Sequence, residues 1–319
     1  MGDRTHGVII GRFMPPHNGH RYLIDFALGC VDRLSILVGT LTSDPIDGEL
    51  RYRWMRELFP EADVIRITEE NPKARKGSPD SYRIWARGIR ESAGDDIDFV
   101  FASEDYGFRL AEELGAVYVP VDPARTVFPV SATMVRRNPI GTWKYIPDIV
   151  RPYFVRKVYV LSEQPGEASA LLERLSDHFQ TVCVGDYVAY HSERTGDGGL
   201  SPEFAVRAQL SAERALARQA DRVLFSASDS IHAWLRAGSG TSIPEELETK
   251  TNEWSHTRYL IDPPHNTPEQ AVHDRDALPL ISQSLEILAD RGADIRVLTG
   301  ATDERFTHAV EAVDDILRH

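Results

Sequence analysis

Short apolar runs alternate with amphipathic stretches along the first 120 residues, and this alternation restricts the possible folds more than any other feature. Residues 8–10 form an apolar run that ends at Gly11 and is stopped by the turn Met14-Pro15-Pro16, the pattern of a buried strand. From Asn18 onward, Tyr22, Leu23, Phe26 and Ala27 recur at the spacing of one helical face. Residues 34–38, 64–67, 99–102 and 117–121 read as further strands, with helices over 52–59, 81–93 and 108–114 between them. Strands that alternate with helices predict an α/β unit built on a parallel, doubly wound sheet. Ligands of such sheets collect beyond the carboxyl ends of the strands. Residues 11–20 and 103–106 fall at that rim.

A second α/β pattern begins after Pro152. Residues 157–161 read as a strand, and 167–179 as a helix with Ala168, Leu171, Leu172 and Leu175 on one face. A helix over 207–219, an apolar run at 223–225, a strand at 296–298 and a closing helix with Phe306, Val310, Val313 and Leu317 complete it. Residues 238–257 are polar and poor in periodicity and read as a surface loop or lid. The two halves share no internal repeat. A chain of 319 residues accommodates two such units, each with its own core, and the expected domains are 1–153 and 154–319.

Composition narrows the function. Hydrophobic residues make up 42% of the chain and charged residues 27%, as in soluble globular proteins. No apolar run reaches the roughly 18 residues of a membrane span, so no membrane role is expected. The net charge of −13 disfavours nucleic acid as a partner, because such binding rests on neutralising phosphates with Lys and Arg. Two cysteines, Cys30 and Cys183, lie far apart in sequence; a disulfide framework is not expected, and a reducing cytoplasm is the simpler location.

The most informative segment is Gly11-Arg12-Phe13-Met14-Pro15-Pro16-His17-Asn18-Gly19-His20. A strand ends on glycine, a proline turn follows, and two histidines three apart open a helix. Glycine lets backbone approach a ligand closely, and a helix start offers free N–H groups to an anion. His17 and His20 share a face of the first turn and can donate to one polyphosphate. Two incidental surface histidines are the bland alternative. A zinc site is the other, but no third and fourth ligand at matching spacing accompanies the pair, so no metal site is expected.

The segment resembles the GRFxPPHxGH signature of the HxGH nucleotidyltransferase superfamily. Val130-Ser131-Ala132-Thr133-Met134-Val135-Arg136 resembles that superfamily's second signature, which is rich in Ser and Thr and ends in arginine. Residues 103–107, 121–125 and 151–158 narrow the resemblance to the NadR-type proteins, which pair an NMN adenylyltransferase with a ribosylnicotinamide kinase. The likeness is close from Gly7 to about Leu161 and patchy beyond. It implies a Rossmann-like domain that joins the AMP of ATP to nicotinamide mononucleotide (NMN), with Mg²⁺ carried on ATP, and a following P-loop-kinase-like domain. It also implies that His17, His20 and Arg136 handle the phosphates, with Ser131 and Thr133 on the opposite wall. Gly11, Arg12 and Phe13 would floor the nucleotide site, with Asp105 and Tyr106 near the adenosine. Trp85, with Tyr82 one turn earlier, is the candidate for stacking on the pyridine ring, against the plain alternative of a core tryptophan. Arg51 and Arg53 fit either phosphate contact or a solvated helix face. A homo-oligomer is compatible with the resemblance.

The second half departs from that pattern. Where a P-loop should read Gly-Lys-Ser-Thr, the chain has Glu167-Ala168-Ser169-Ala170 after Gly166, so the phosphate-binding lysine is missing. Asp229 and Arg275 stand as remnants of the acidic strand end and of a lid arginine. The expectation is a kinase fold without phosphoryl transfer. Nicotinic acid mononucleotide as acceptor, and a non-catalytic sensor of NAD or ATP, are the competing readings.

Overall fold

The computed structural model describes residues 4–68, 79–163, 165–196, 199–238, 256–264 and 272–318. The chain divides into two compact units, Met1–Val150 and Arg151–His319. The first carries β1 (His6–Gly11), α1 (Asn18–Leu28), β2 (Arg33–Gly39), α2 (Gly48–Leu58), β3 (Asp63–Ile67), α3 (Pro79–Ala93), β4 (Phe99–Ala102), α4 (Tyr106–Leu114), β5 (Val117–Pro120) and α5 (Ala132–Arg137). Its five strands lie in the order β3-β2-β1-β4-β5, and every pairing is parallel.

The parallel sheet is covered on both faces, so its central strands β1 and β4 carry continuous apolar runs rather than an alternating pattern. Successive residues of β1 enter different cores. Ile9 packs with Leu23, Ile24 and Phe59, whereas Val8 packs with Ala86, Ile89 and Leu110. Strand order reverses at β1, whose neighbours are β2 and β4. In an open parallel sheet that reversal leaves a crevice at the carboxyl ends. Gly11 closes β1 at this point, and Ala102 closes β4.

The second unit contains β6 (Arg156–Leu161), α6 (Pro165–Phe179), β7 (Cys183–Val184), α7 (Tyr187–Thr195), α8 (Pro202–Leu216), β8 (Val223–Ser226), α9 (Ser230–Arg236), β9 (Thr257–Ile261), α10 (Pro279–Asp290), β10 (Ile295–Val297) and α11 (Thr302–Arg318). Its sheet is parallel in the order β10-β9-β6-β8-β7. Both units are therefore α/β, as the strand–helix alternation predicts. The expected loop or lid over 238–257 falls largely on 239–255, outside the described residues. Thr257, its last residue, instead begins β9, which pairs with the central strand β6 along five residues. Among the described residues no helix is long and apolar enough to cross a membrane.

Candidate active site

A cavity of about 1110 Å³ opens at the carboxyl rim of the first sheet. Its floor follows from two backbone facts. Phe13 adopts a left-handed φ of +44° next to a cis Met14–Pro15 bond, a conformation that a bulky residue holds only when its surroundings over-determine it. Gly11 permits this turn, since a Cβ there would stand 3.0 Å from the Phe13 ring. The buried Phe13 ring then meets His20 edge-on, with centroids 5.0 Å apart.

His17 and His20 stack at 3.7 Å with their planes 27° apart. His17 is the N-cap of α1, and Gly19 makes room for its ring, because a Cβ there would lie 3.1 Å from the imidazole. The His17 N–H donates to His20 Nδ1 at 3.3 Å. That bond assigns the proton of a neutral His20 to Nε2, which becomes the available donor. Burial, with the charge of Arg125, lowers His17 to a pKa of about 4. Burial, then His17 and Arg125, also hold His20 well below the ordinary histidine value. Both rings are neutral donors at pH 7. His17 Nδ1 is buried, and its only polar neighbour among the described residues is the His20 N–H of the capping box, without good hydrogen-bond geometry.

The opposite wall comes from α5. Ser131 caps this helix by accepting the Met134 N–H at 3.2 Å. Arg136 donates to the Met14 carbonyl and, at 3.3 Å, to Thr133 Oγ1. The cationic lining also includes Arg12 and Arg125. Arg125 pairs with Glu104 at 3.2 Å from a loop that Asp122 knits together by accepting from the N–H groups of Thr126, Val127 and Phe128. Trp85 lines the cavity as well, edge-on to Tyr106 at 6.4 Å. The Tyr106 hydroxyl donates to the Ile10 carbonyl at 2.6 Å, and burial keeps it protonated by raising its pKa.

The structure thus gathers Gly11, Arg12, Phe13, His17, His20, Trp85, Tyr106, Ser131, Thr133 and Arg136 around one cavity. Asp105 is not among the lining residues, where its neighbours Ser103 and Glu104 stand instead. Tyr82 packs edge-on against Trp85 at 5.6 Å and is likewise outside the lining. Arg51 fits neither of its expected roles: its side chain is fully buried and turned inward onto Asp44, while Arg53 is exposed. Arg125 and Glu104 escaped the sequence reading, although both lie within stretches that carried the resemblance. Among the described residues no group of three His, Cys, Asp or Glu could hold a metal ion.

The second unit's rim is built differently. Only residues 162–164 separate β6 from α6. Gly166 and Glu167 fall in the first turn of α6, Ala168 is packed into the core, and Ser169 follows half-buried. Glu163 accepts the N–H groups of Leu280 and Ile281 at 3.3 and 3.0 Å, capping α10. Asp229 is buried and accepts from the His232 N–H at 2.7 Å and the Tyr259 hydroxyl at 2.9 Å. Asp186 and Arg236 form an ion pair at 2.8 Å. Arg275 is exposed and paired with Glu286.

No protein-family model matches the chain. It is 32% identical over 201 residues to the trifunctional NAD biosynthesis/regulator protein NadR of Escherichia coli K12, covering 58% of this chain and 49% of that protein. The Salmonella typhimurium NadR is 32% identical over 198 residues, covering 57% and 48%. The phosphopantetheine adenylyltransferase of Francisella philomiragia is 24% identical over 143 residues, covering 44% and 86%. The chain spans about half the length of the NadR proteins it matches. A crystal structure of a NadR protein with NAD and AMP-PNP superposes with a TM-score of 0.77 at 20% identity, covering 99% of this chain and 97% of that one. A NadR structure with NR gives 0.75 over the same shares. The chain is thus similar in sequence to about half the length of the NadR proteins and shares the α/β fold of the NadR crystal structures.

Proposed function

We propose that the chain is a nucleotidyltransferase of NAD biosynthesis that transfers the adenylyl group of ATP to NMN, releasing pyrophosphate. The observation that carries this reading is the pair of stacked imidazoles, His17 buried and His20 partly so, both held neutral and lining one cavity with Arg136. This is a donor set for phosphate oxygens, not for a hydroxyl that must first lose a proton. The homology to NadR supports the same chemistry.

The acceptor phosphate of NMN is ionised at neutral pH, so the reaction needs no general base. Its oxygen attacks the α-phosphorus of ATP in line, the bond to the β-phosphate bridging oxygen breaks, and the electron pair leaves on pyrophosphate. The protein aligns the two phosphates and stabilises charge as it moves onto the leaving group. His20 Nε2–H, Arg136, Arg12 and Arg125 are the donors suited to that charge. ATP enters as its Mg²⁺ complex, the metal travelling with the substrate. Trp85 offers a ring face to the pyridine, with Tyr82 bracing it from the side.

For the second unit we propose a kinase fold that no longer transfers phosphoryl groups. The short link between β6 and α6, the buried Ala168 and the absent lysine support this. So does the engagement of Glu163, Asp229 and Asp186 with partners inside the unit.

Incubation with Mg·ATP and NMN, followed by separation of the products, tests the reading. NAD and pyrophosphate are expected in equal amounts. Faster conversion of nicotinic acid mononucleotide would replace NMN as the acceptor, and failure of both to react would overturn the transferase reading.

A further inference from the structure

Arg12 lines the cavity but is not held by it. Its side chain is half exposed, and the charge of Arg136 across the site pushes against its own. A long cation in that situation samples solvent unless something anchors it. The anchor is Asp44, whose side chain is fully buried and is paired to both Arg12 and Arg51.

The surroundings of Asp44 form a closed unit. Arg51, with no exposed side-chain surface, reaches Asp44 Oδ2 at 2.5 Å. It also donates to the carbonyls of Ile46 at 3.0 Å and Gly39 at 2.9 Å, and to that of Arg12. Asp44 further accepts the Leu41 N–H at 3.1 Å, at the start of the loop whose Leu41, Thr42 and Ser43 line the cavity. Arg12 is therefore gripped twice: its carbonyl by Arg51 and its guanidinium by Asp44. A guanidinium has five N–H donors, so one committed to Asp44 leaves others for a phosphate.

We propose that Asp44, which does not itself reach the cavity, is a positioning residue for the transfer reaction and acts by holding the Arg12 guanidinium at the cavity. The inference rests on the nucleotidyltransferase reading above. Arg51 completes the device as the buried cation that holds Asp44 in place. Losing Asp44 frees Arg12 to move away from Arg136, and the phosphates lose a preorganised donor.

The test is a double-mutant cycle on the full chain, with NAD formation from Mg·ATP and NMN as readout and thermal melting as a check on folding. Asp44→Asn is expected to lower kcat roughly 10- to 100-fold, with a smaller change in KM for either substrate. In an Arg12→Ala background, adding Asp44→Asn is expected to cost nothing more, because the interaction it disrupts is already gone. Asp44→Glu is measured alongside, since it keeps a carboxylate for Arg51 if Asp44→Asn fails to fold. It is expected to slow wild-type turnover less than Asp44→Asn and to have no effect without Arg12. An active wild type whose Asp44 variants turn over normally overturns the inference alone. So does a loss of the same size with and without Arg12, which would make Asp44 a purely structural residue. A wild type that makes no dinucleotide overturns the functional reading and this inference with it.

Discussion

The carboxyl rims of the two sheets carry similar residue types and use them in opposite ways. At the first rim, Arg12, Arg125 and Arg136 line an open cavity, and His17 retains a buried nitrogen without good hydrogen-bond geometry. At the second, the charges are buried against one another inside the unit. Arg236 pairs with Asp186, donates to the Ser162 carbonyl at 3.0 Å and lies against His232 Nε2 at 3.0 Å. His232 Nδ1 in turn meets Ser284 at 3.1 Å. Burial raises Asp186 and Asp229 against the pull of their partners. One fold class thus yields either a rim whose arginines line an open cavity or one whose charges are buried against each other.

This contrast can be broken experimentally, and the largest effect is expected in the second unit. Asp186→Ala leaves Arg236 as a buried cation without its carboxylate, which typically costs about 3–5 kcal/mol; a strong drop in the melting temperature of the second unit is the expected reading. Retained melting would mean the rim is not held by this pair. Next comes His20→Ala, which removes one phosphate donor worth about 2.7–4 kcal/mol in a transition state, or roughly 100- to 1,000-fold in kcat. Melting should be little changed, and normal turnover would remove His20 from the mechanism.

The third effect is a pH dependence with a defined sign. His17 is depressed to a pKa of about 4 in the folded chain, so between that value and the ordinary histidine value the unfolded chain binds the extra proton. Its contribution to stability is complete above pH 6.5 and is lost as pH falls toward 4, by about 2 kcal/mol between pH 7 and pH 5. His17→Gln should remove that part of the acid sensitivity in melting curves taken across the range. An unchanged slope would show that His17 is not buried neutral. The smallest effect belongs to Trp85→Leu, which keeps apolar bulk and loses the ring face. About 0.5–1.5 kcal/mol is expected, read as a rise in KM for the mononucleotide with little change in KM for ATP.

How far the sequence reveals these features differs along the chain. The first sheet was legible because its central strand carries an apolar run ended by glycine, strands and helices alternate regularly, and its motifs are local. His17, His20 and Gly11 sit within ten residues, and the single helix α5 brings Ser131, Thr133 and Arg136 together. β9 was not legible: its apolar run is only Tyr259-Leu260-Ile261 after a polar stretch, and only the folded chain shows Arg258 buried against Asp294 and Asp315. A signal for α10 was present, with Pro279 at its first turn and Ile281, Leu285 and Leu288 at helical spacing. The roles of Arg51 and Asp44 could not be read, because a helical arginine among polar neighbours looks the same whether it faces water or a buried carboxylate. Contacts that join distant segments, such as Arg12 with Asp44 or Arg125 with Glu104, depend on the sheet that brings their loops to one rim.

The most direct test of the contrast offers the intact protein Mg·ATP with NMN in one vessel and with nicotinamide riboside in another, and follows both products by chromatography. The account expects NAD and pyrophosphate from NMN and no phosphorylated product from the riboside. Phosphorylation of the riboside, or no dinucleotide from NMN, would contradict it.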